Sequence, residues 1–450
     1  MMAEIWPAAA DLRGWLGLLA ERGELRRLGS EIDPEYDVAA VLEHADGQYA
    51  VAFDDVRGAA FPLAGNTMTS RSHFAVAMGC ADIEVVGRIQ QALREPRPCA
   101  FVEPGDAPVL ANHDAGGDLL GDLPLPVQHE LDAGRYFTSA LVVARDTRTG
   151  RTNLSINRLQ VTGPREVRAL LLPGRLRSIL AEHEASGSDL QVALCVGVDP
   201  LLASQSPARP DLDDLEVVSA LHPGALPVVR IGALPVPAGA EMVLVGSFQA
   251  GRREEEGPFG EYPLTYGPAG PAPVLQLTDR YYRDDARLQT VLSGGREHFW
   301  LGGLPREARL LEALRGNGVD VAGVRLTEGS SCRMHAVISL PTRREGTPRH
   351  AIMTACTAIP TVKLVTVVDD DVDVFDDEQV EWAVATRMQA DRDLLVIPHT
   401  IGSSLDPSAD GSTSAKLGID ATKPLTDNER FAKMRTLSAK LDSYVAELED

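Results

Sequence analysis

The last third of the chain alternates short apolar runs with helical patterns, and this alternation restricts the fold more than any other feature. Apolar runs of strand length occupy residues 335–340, 363–368 and 394–397. Helical patterns over residues 350–357 and 377–388 separate them. Strands joined by helices in this way form a parallel sheet with crossover helices. The sequence therefore predicts a βαβ domain in this part of the chain.

The middle of the chain is instead rich in strands. Residues 136–144 and 152–161 form two strand patterns on either side of a Thr149-Gly150 turn. Alternation along the second strand sends polar side chains to both faces. One face carries Asn153, Ser155 and Asn157, and the other carries Ile156, Arg158 and Gln160, unless a bulge intervenes. Polar groups on both faces indicate that the hairpin lines a site.

The first part of the chain has a mixed pattern. Residues 11–21 have helical spacing with Asp11 as the N-cap, and strand patterns follow at residues 51–53 and 61–66. The stretch from 95 to 127 is rich in Pro, Gly and Asp and marks a boundary. We therefore predict an α/β protein (α+β overall) with an N-terminal α/β domain (1–115), a strand-rich domain (116–295) and a C-terminal βαβ domain (296–450).

Two further helices are predicted in the C-terminal domain. Residues 305–318 have a helical pattern, and residues 430–448 form one long helical pattern at the end of the sequence. We expect the second helix to dock on a neighbouring domain or subunit.

Residues 254–262 place carboxylates on both sides of a forced turn, after a strand pattern at residues 241–246. Glycine and proline residues between the acids favour a tight bend, so Glu256 and Glu261 are expected to meet. Like charges held close raise the pKa of one acid, which then keeps a proton near neutral pH. This pattern fits a proton-transfer site, and it equally fits a solvated acidic loop.

A second acidic cluster, residues 369–373, directly follows a strand pattern. Carboxylates at such positions often bind ligands or metals, whereas a helix N-terminus also favours negative charge. His335 lies on a predicted strand, where a core or interface histidine is the simpler interpretation. His399 precedes a Gly-Ser-rich loop and is as well explained by a pocket. A metal-dependent hydrolase built on Asp369, Asp371 and His399 therefore stays open.

Composition argues against several classes of function. The net charge of -22 argues against a nucleic-acid partner and favours a small soluble substrate. The five cysteines include no C-x-x-C pair, so neither a zinc site nor a disulfide framework is expected. The sequence shows no membrane span, secretory signal, dinucleotide fingerprint or P-loop. We expect a cytoplasmic protein.

Several separated motifs together resemble the UbiD-type decarboxylases over nearly the whole chain. In order, they are Asp11-Leu12-Arg13, Asn153-x-x-x-x-Arg158, Val236-Pro237-Ala238-x-x-Glu241, Glu256-Gly-Pro-Phe-Gly-Glu261, Asp369-Asp370-Asp371, the helix through Arg387, and Lys416-Leu417-Gly418-Ile419-Asp420-Ala421-Thr422. The resemblance implies that the central domain is a split β-barrel like that of flavin reductases and binds prenylated FMN. It also implies reversible, non-oxidative decarboxylation of an α,β-unsaturated, aromatic or heteroaromatic carboxylic acid, with prenylated FMN as a covalent electron sink.

The resemblance implies a catalytic set of Arg158, Glu256 and Glu261, all present here. Glu261 would protonate the carbon that loses carbon dioxide, Arg158 would hold the substrate carboxylate, and Glu256 would tune Arg158. The active site would lie in the cleft between the central and C-terminal domains. The loops around His335 and His399 resemble the branch of the family that handles heteroaromatic acids such as pyrrole or furan carboxylates, so both histidines are predicted in the substrate pocket.

Members of this family hold the flavin phosphate through a divalent metal, usually manganese, with potassium nearby, and an Asn, a His and a Glu bind the metal. Here Asn153 keeps the first position, Arg175 replaces the histidine and Asp214 replaces the glutamate. Asp214 suits Mn²⁺ or Mg²⁺, whereas Arg175 would bind the phosphate directly. The residues predicted to bind the cofactor are Asn153, Ser155, Ile156, Asn157, Arg158, Gln160, Gly174, Arg175, Ser206, Asp214 and Lys416.

The resemblance further implies a flavin prenyltransferase that supplies the cofactor, and a homodimer or larger homo-oligomer. The replacement at Arg175 leaves a catalytically altered flavin-binding homologue as an alternative. The intact set of Arg158, Glu256 and Glu261 argues against that alternative.

Overall fold

The structure is a computed structural model that describes residues 11–203, 211–341, 344–426, 429–431, 434 and 444–445. Helices and parallel and antiparallel strands alternate along it, so the predicted α/β class is confirmed. The helix predicted over residues 430–448 lies largely outside the described residues. Within the described ranges, no helix combines the length and apolar character needed to cross a membrane.

The first group of elements consists of α1 (Leu12–Glu21), β1 (Leu25–Leu28), α2 (Asp37–Ala45), β2 (Ala50–Phe53), β3 (Leu63–Gly65), α3 (Arg71–Met78) and α4 (Val85–Arg94). The predicted N-cap of α1 is confirmed, because Asp11 Oδ1 accepts a hydrogen bond of 2.8 Å from Gly14 N. The β1 and β2 strands pair in parallel, and β2 pairs with β3 in antiparallel fashion.

The second group is dominated by strands. Its strands are β4 (Ala100–Phe101), β5 (Asn112–Ala115), β6 (Tyr136–Phe137), β7 (Leu141–Arg145), β8 (Thr152–Ile156), β9 (Leu159–Val161), β10 (Glu166–Ala169), β11 (Leu190–Val196), β12 (Pro227–Ile231), β13 (Leu234–Pro237), β14 (Met242–Glu256), β15 (Phe259–Gly260), β16 (Tyr266–Gly267), β17 (Gly270–Tyr282) and β18 (Leu288–Gln289). Its helices are α5 (Arg175–Ala185), α6 (Pro200–Ala203) and α7 (Asp214–Leu221). Eight strands form an antiparallel sheet in the order β6-β9-β10-β17-β14-β11-β7-β8, and β5 is added at β17.

This nine-stranded sheet is buried on both faces. Along β7, Val143 packs into one apolar cluster together with residues of α3, α4 and α8 (Arg296–Gly316), whereas its neighbour Val142 packs into a second cluster with residues of α2 and α5. The alternation of side chains across a strand thus divides the core into two layers. Helices α3 and α4 from the first part of the chain and helix α8 from the last part thus cover one face of the sheet.

The long strands β14 and β17 position the acidic turn. They pair from Met242 opposite Tyr282 to Glu256 opposite Gly270, with a register shift after Phe248. β14 therefore extends ten residues beyond the strand predicted over residues 241–246. In its outer half, partly buried and exposed residues alternate and most of them are polar. This half therefore has no apolar pattern from which a strand could be predicted. As a result, Glu256 is fixed at the end of a strand and is not part of a free loop.

The third group consists of α8 (Arg296–Gly316), β19 (Gly323–Leu326), β20 (His335–Leu340), α9 (Thr347–Ala358), β21 (Leu364–Asp369), α10 (Asp377–Arg387), β22 (Leu394–Ile401) and β23 (Thr413–Asp420). The sheet order is β19-β20-β21-β23-β22. The central strands β20, β21 and β23 are parallel, and the edge strands β19 and β22 are antiparallel. The parallel pairing predicted for residues 335–340 and 363–368 is therefore confirmed. The prediction was wrong for residues 394–397, because β23 lies between β21 and β22 and pairs with β22 in antiparallel fashion.

Helix α8 begins nine residues before the predicted start at Pro305. The prediction was wrong because Gly302, Gly303 and Pro305 looked like helix breakers. Buried Trp300 and Leu304 instead anchor the first half of the helix in the core. The early start matters because this half of α8 reaches the functional site.

Candidate active site

Arg158 lies between the two glutamates of the acidic turn. Its Nη2 donates to Glu256 Oε2 at 2.9 Å, and its Nη1 donates to Glu261 Oε1 at 2.8 Å. The exposed fractions of the side chains are 6% for Arg158, 1% for Glu256 and 11% for Glu261. The guanidinium carbon also lies 5.4 Å from the centre of the Phe259 ring. The three residues predicted to be catalytic therefore form one buried network.

The turn itself brings the glutamates together. Glu256 ends β14, and Glu261 directly follows the short strand β15. Between them, Gly257 has a φ of 88°, which favours glycine, and its peptide bond to Pro258 is cis. Opposite the turn, a Cβ at Gly267 would lie 2.8 Å from Arg158 Nη1, so a side chain there would displace the guanidinium from its position between the glutamates.

A break in the hairpin brings Arg158 to the site. The strand predicted over residues 152–161 is interrupted, because Asn157 and Arg158 lie between β8 and β9. The break changes the alternation of side chains. Asn153 and Arg158, which strict alternation places on opposite faces, consequently line the same cavity.

Two side chains support the turn from behind. Gln160 Nε2 donates to Ala133 O at 2.8 Å, and Gln160 Oε1 accepts from Gly257 N at 3.3 Å. The Tyr136 ring lies 4.3 Å from the Phe259 ring, centre to centre. Gln160 was predicted to contact the cofactor, but the structure places it against the turn and not in the cavity wall.

The Glu261 carboxyl has a raised pKa. Burial is the main cause, and the positive charge of Arg158 opposes it. The rise itself was predicted, but repulsion between the glutamates is not its main cause, because Arg158 lies between them. Glu261 therefore keeps its proton to a higher pH than an exposed glutamate does.

A cavity of about 800 Å³ lies in front of Arg158 and Glu261. One wall comes from the central sheet and α5, and the opposite wall comes from α8 and the loops of the C-terminal part, as expected for a cleft between the two. The predicted cofactor residues that line it are Asn153, Ser155, Ile156, Asn157, Arg158, Gly174 and Arg175.

Asn153 lines the cavity, whereas Asp214, which is hydrogen-bonded to it, is not part of the cavity wall. Asp214 Oδ2 accepts from Asn153 Nδ2 at 3.0 Å and from Leu154 N at 2.9 Å. Asn153 Oδ1 and Asp214 Oδ1 are buried without a hydrogen-bond partner. Burial raises the pKa of Asp214 to about 7. Two hard oxygen atoms without partners fit a divalent cation such as Mn²⁺ or Mg²⁺.

Arg175 lies beside this pair at the start of α5. Its Nη1 donates to Leu212 O at 2.9 Å and lies 3.6 Å from Asp214 Oδ1. Its Nε and Nη2 are buried and have no hydrogen-bond partner. Two unused donors of one guanidinium in a cavity wall fit a phosphate, which binds arginine through two oxygen atoms. Arg175, predicted to stand where a metal-binding histidine is expected, is thus a cation whose free donors suit a phosphate.

Lys416 lies away from the cavity. It is part of β23, where its Nζ donates to Cys356 O at 2.8 Å and to Pro360 O at 2.9 Å. The lysine therefore stabilises the end of α9 and does not line the cavity, where it was predicted to approach the flavin phosphate. Ser206, which was also predicted to bind the cofactor, lies outside the described residues.

The two histidines predicted in the substrate pocket also lie elsewhere. His335 lines a separate cavity of about 550 Å³ in the C-terminal part, where its Nε2 lies 2.9 Å from Thr366 Oγ1. Burial lowers the pKa of His335 to about 4. His399 is exposed on the edge strand β22, with a φ of 52°. Neither imidazole lines the cavity that contains Arg158.

The second acidic cluster has a structural role. Arg387 Nη1 donates to Asp369 Oδ2 at 3.1 Å, and Arg387 Nη2 donates to Asp371 Oδ2 at 2.9 Å. Lys423 adds a second cation 3.1 Å from Asp371. Among the described residues, no group of three or more His, Cys, Asp or Glu side chains is arranged to hold a metal. The structure thus gives no support to the metal-dependent hydrolase.

Four residues that sequence reasoning did not select also line the cavity. They are Tyr262, His298, Arg306 and Arg333. Tyr262 follows Glu261 and its hydroxyl lies 2.6 Å from Ser403 Oγ, which links the turn to the C-terminal part. The two arginines looked like ordinary surface charges in the sequence. Gly302 and Gly303 on α8 lie against Arg333 and Cys332. This pair of glycines is the sequence feature that could have predicted the close packing of the turn on the helix.

Most of the chain matches three domains of one family. Residues 16–93, 101–296 and 299–421 match the N-terminal, Rift-related and C-terminal domains of the UbiD family, described as 3-octaprenyl-4-hydroxybenzoate carboxy-lyase. The chain is also 35% identical over 430 residues to the anhydromevalonate phosphate decarboxylase of Methanothermobacter thermautotrophicus, covering 94% of this chain and 99% of that relative.

Solved structures of the same class are similar throughout. The UbiD-class enzyme HmfF from Pelotomaculum thermopropionicum, in complex with FMN, is 43% identical with a TM-score of 0.92, covering 96% of this chain and 98% of that chain. An evolved dimeric form of HmfF in complex with prFMN has a TM-score of 0.88 at 41% identity, with the same coverage. The 3,4-dihydroxybenzoic acid decarboxylase of Klebsiella pneumoniae has a TM-score of 0.89 at 26% identity, covering 97% of this chain and 99% of that chain.

Proposed function

The chain belongs to the UbiD family, and we propose that it is a prenylated-FMN-dependent carboxy-lyase that removes carbon dioxide from an α,β-unsaturated, aromatic or heteroaromatic acid. The main observation in support is that Arg158 is held between Glu256 and Glu261 in the wall of a large cavity. Loss of carbon dioxide requires a cation that orients a carboxylate and an acid that then protonates carbon. Both groups are present here side by side.

Arg158 orients the carboxylate that leaves. Its guanidinium stays charged at any pH at which the protein is folded. Glu256 holds Nη2 from the buried side and Glu261 holds Nη1, so the guanidinium is fixed before the substrate arrives. A guanidinium that is already fixed loses less conformational entropy when the substrate binds.

Glu261 supplies the proton that replaces carbon dioxide. It lines the cavity, and burial raises its pKa. In the direction of carboxylation, the Glu261 carboxylate would remove a proton from the same carbon, so the reaction is reversible in principle. Phe259 and Val291 line the same cavity and limit the access of water to the reacting carbon.

The cofactor would be held at the far end of the cavity. Arg175 Nε and Nη2 would bind its phosphate, and Asn153 Oδ1 and Asp214 Oδ1 would bind Mn²⁺ or Mg²⁺, with K⁺ nearby. When bound, prenylated FMN supplies the electron sink that no side chain of the cavity offers. The similar structures in complex with FMN and prFMN support a flavin cofactor.

The substrate class and the partners complete the proposal. One similar enzyme is named for an aromatic acid, 3,4-dihydroxybenzoic acid, and another relative for anhydromevalonate phosphate. A flavin prenyltransferase would supply the cofactor. We expect a homodimer or a larger homo-oligomer, in line with the dimeric form of HmfF.

The identity of the cofactor tests the proposal. The protein is co-produced with a flavin prenyltransferase in medium with Mn²⁺, and the small molecule that it releases is identified by visible spectrum and mass. Protein produced without the prenyltransferase is the control. The proposal predicts prenylated FMN in the first preparation only. Recovery of no flavin from either preparation would contradict it.

A further inference from the structure

Three buried polar atoms around the ion pair of Arg158 and Glu256 have no hydrogen-bond partner among the described residues. They are Arg158 Nε, Glu256 Oε1 and the hydroxyl oxygen of Tyr136. Arg158 lines the cavity, whereas Glu256 and Tyr136 are not part of its wall. A substrate in the cavity therefore does not reach Glu256 Oε1 or the Tyr136 hydroxyl, and their partners have to come from behind the cavity wall.

The ion pair between Arg158 and Glu256 uses only half of the guanidinium fork. Nε and Nη2 of an arginine point in the same direction and can bind both oxygen atoms of one carboxylate. Arg13 binds Glu241 in this way, through Nε at 2.8 Å and Nη2 at 2.9 Å. Arg158 donates to Glu256 through Nη2, and its Nε stays without a partner. Glu256 Oε1 thus lacks the donor that the second half of the fork would supply.

Tyr136 places a different donor beside this oxygen. Its side chain is buried, and burial, the charge of Glu256 and hydrogen bonding to that carboxylate raise the pKa of Tyr136. The hydroxyl therefore keeps its proton and can donate, and a carboxylate oxygen accepts. It lies next to Glu256, although the contact falls short of a full hydrogen bond in this structure. Two adjacent buried atoms, one donor and one acceptor, are each costly without a partner.

The packing of Tyr136 holds its ring against the turn that carries the glutamates. Tyr136 lies opposite Gln160 in the pairing of β6 with β9. Gln160 Oε1 accepts from Gly257 N, the residue that follows Glu256. The Tyr136 ring also lies 4.3 Å from the Phe259 ring, with 40° between the ring planes. Backbone pairing and ring packing therefore both direct the phenol toward the end of β14.

We propose that the Tyr136 hydroxyl donates to Glu256 Oε1 and thereby fixes the orientation of this carboxylate on Arg158. Without the hydroxyl, Glu256 is free to turn onto both Nε and Nη2, which draws the guanidinium away from Glu261 and from the substrate carboxylate. Tyr136 is therefore a positioning residue, which acts on the reaction through Glu256 and Arg158. This assignment rests on the proposed function.

Tyr136→Phe removes the hydroxyl and keeps the ring that packs on Phe259. The variant, loaded with prenylated FMN, is assayed for release of carbon dioxide from an acid that the wild-type protein accepts. We expect kcat to fall about 10- to 100-fold, because a small displacement of a catalytic group has an effect of this size, whereas KM and flavin content change little. Tyr281→Phe, at a partly buried tyrosine of β17 outside the cavity wall, is the control and should match the wild-type protein.

A fluorine probe tests the contact without an assay of activity. 3-Fluorotyrosine incorporated at position 136 retains the hydroxyl, so kcat should stay close to that of the wild-type protein. Its ¹⁹F resonance, recorded without cofactor or substrate, should shift on Glu256→Gln, because the carboxylate beside the phenol loses its charge. Glu255→Gln, the same change at the exposed neighbouring position of β14, should leave the resonance in place.

A kcat of Tyr136→Phe equal to that of the wild-type protein would overturn the assignment, because the hydroxyl would then have no part in positioning the site. A ¹⁹F resonance that does not respond to Glu256→Gln would overturn it as well, because the hydroxyl and the carboxylate would not be in contact. The proposed function fails separately. If the wild-type protein releases no carbon dioxide and the resonance still shifts on Glu256→Gln, the decarboxylase is refuted and the contact of Tyr136 with Glu256 is supported.

Discussion

Arg158 separates the two glutamates of the site. It donates one nitrogen to each, so the carboxylates do not face one another directly. The sequence predicted the three residues and the raised pKa of one acid. It did not predict the main cause of that rise, because burial depends on the C-terminal part that closes the cavity, and this packing cannot be read from residues 254–262 alone.

Glu261→Gln tests the proton donor. We expect the variant to retain flavin and to lose at least about 100-fold in turnover, because an amide has no proton of suitable acidity. Glu255→Gln, the same change at an exposed position of β14, should retain activity. Turnover by the wild-type protein should fall as the pH rises through the raised pKa of Glu261, since the acid must be protonated to act. Full activity of Glu261→Gln would remove Glu261 from this role.

Arg175→Ala tests the phosphate site. After gel filtration, we expect the flavin content of the variant to be at least about tenfold lower than that of the wild-type protein, because two charged hydrogen bonds are lost. Molecules that keep the cofactor should turn over normally. Arg151→Ala, at a partly buried arginine outside the cavity wall, is the control. Unchanged flavin content, measured by absorbance per mole of protein, would show that Arg175 does not hold the phosphate.

At the scale of elements, strands and helices with a clear period were predicted well and elements with mixed composition were not. Strand β20 was predicted without error, because four of its six residues are apolar and no helix-forming spacing competes. The outer half of β14 is polar and was missed, since only its pairing with β17 makes it a strand. Helix α8 was shortened in the prediction by Pro305 and its glycines, which tertiary packing overrides.

Glu241, immediately before β14, joins this element to α1. Arg13 Nε donates to Glu241 Oε1 at 2.8 Å and Arg13 Nη2 to Glu241 Oε2 at 2.9 Å, and Glu241 is fully buried. Glu241→Gln should lower the free energy of unfolding by about 2–3 kcal/mol, less than for a fully buried pair because Arg13 is 38% exposed.

Glu184→Gln is the matched control for this prediction. Glu184 pairs with Arg253 at the surface, where an ion pair contributes about 0–1 kcal/mol. Urea denaturation of both variants and the wild-type protein gives the comparison. Equal stability of the two variants would show that the link between Arg13 and Glu241 does not hold α1 on the sheet.

At the scale of the whole molecule, the sequence predicted a mixed first part, a strand-rich middle and a βαβ last part. It did not predict which residues of these parts contact one another. Arg13 and Glu241 belong to two motifs that are 228 residues apart, and nothing in either predicts that they meet. Helix α8 and the turn at Arg333 meet in one wall of the cavity, and Lys416 donates to carbonyl groups near the end of α9. Contacts of this kind depend on how helices and turns pack, which one sequence does not specify.

Glu297, buried at the start of α8 between the first and third parts of the chain, makes stability depend on pH. Thr67 Oγ1 donates to its Oε1 at 2.6 Å, and burial raises its pKa from 4.5 to about 7. The folded protein thus holds this proton to a higher pH than the unfolded chain. The free energy of unfolding should therefore fall between about pH 4.5 and pH 7, by on the order of 3 kcal/mol from this group.

Glu297→Gln has no proton to lose in this range. The difference in unfolding free energy between the variant and the wild-type protein, measured by urea denaturation at several pH values, should shift in favour of the variant as the pH rises. Other buried carboxyls affect both proteins alike and cancel in this difference. Two curves that stay parallel from pH 4.5 to pH 8 would show that Glu297 does not titrate as described.

The release of carbon dioxide tests the central claim most directly. Protein loaded with prenylated FMN and protein loaded with unmodified FMN are each incubated with a panel of unsaturated, aromatic and heteroaromatic acids, including dicarboxylic and phosphorylated members. We predict that only the first preparation releases carbon dioxide, from at least one acid, and that in D₂O the product carries one deuterium at the carbon that lost the carboxylate. A preparation that holds prenylated FMN and releases no carbon dioxide from any member, or equal release by the FMN preparation, would contradict the account.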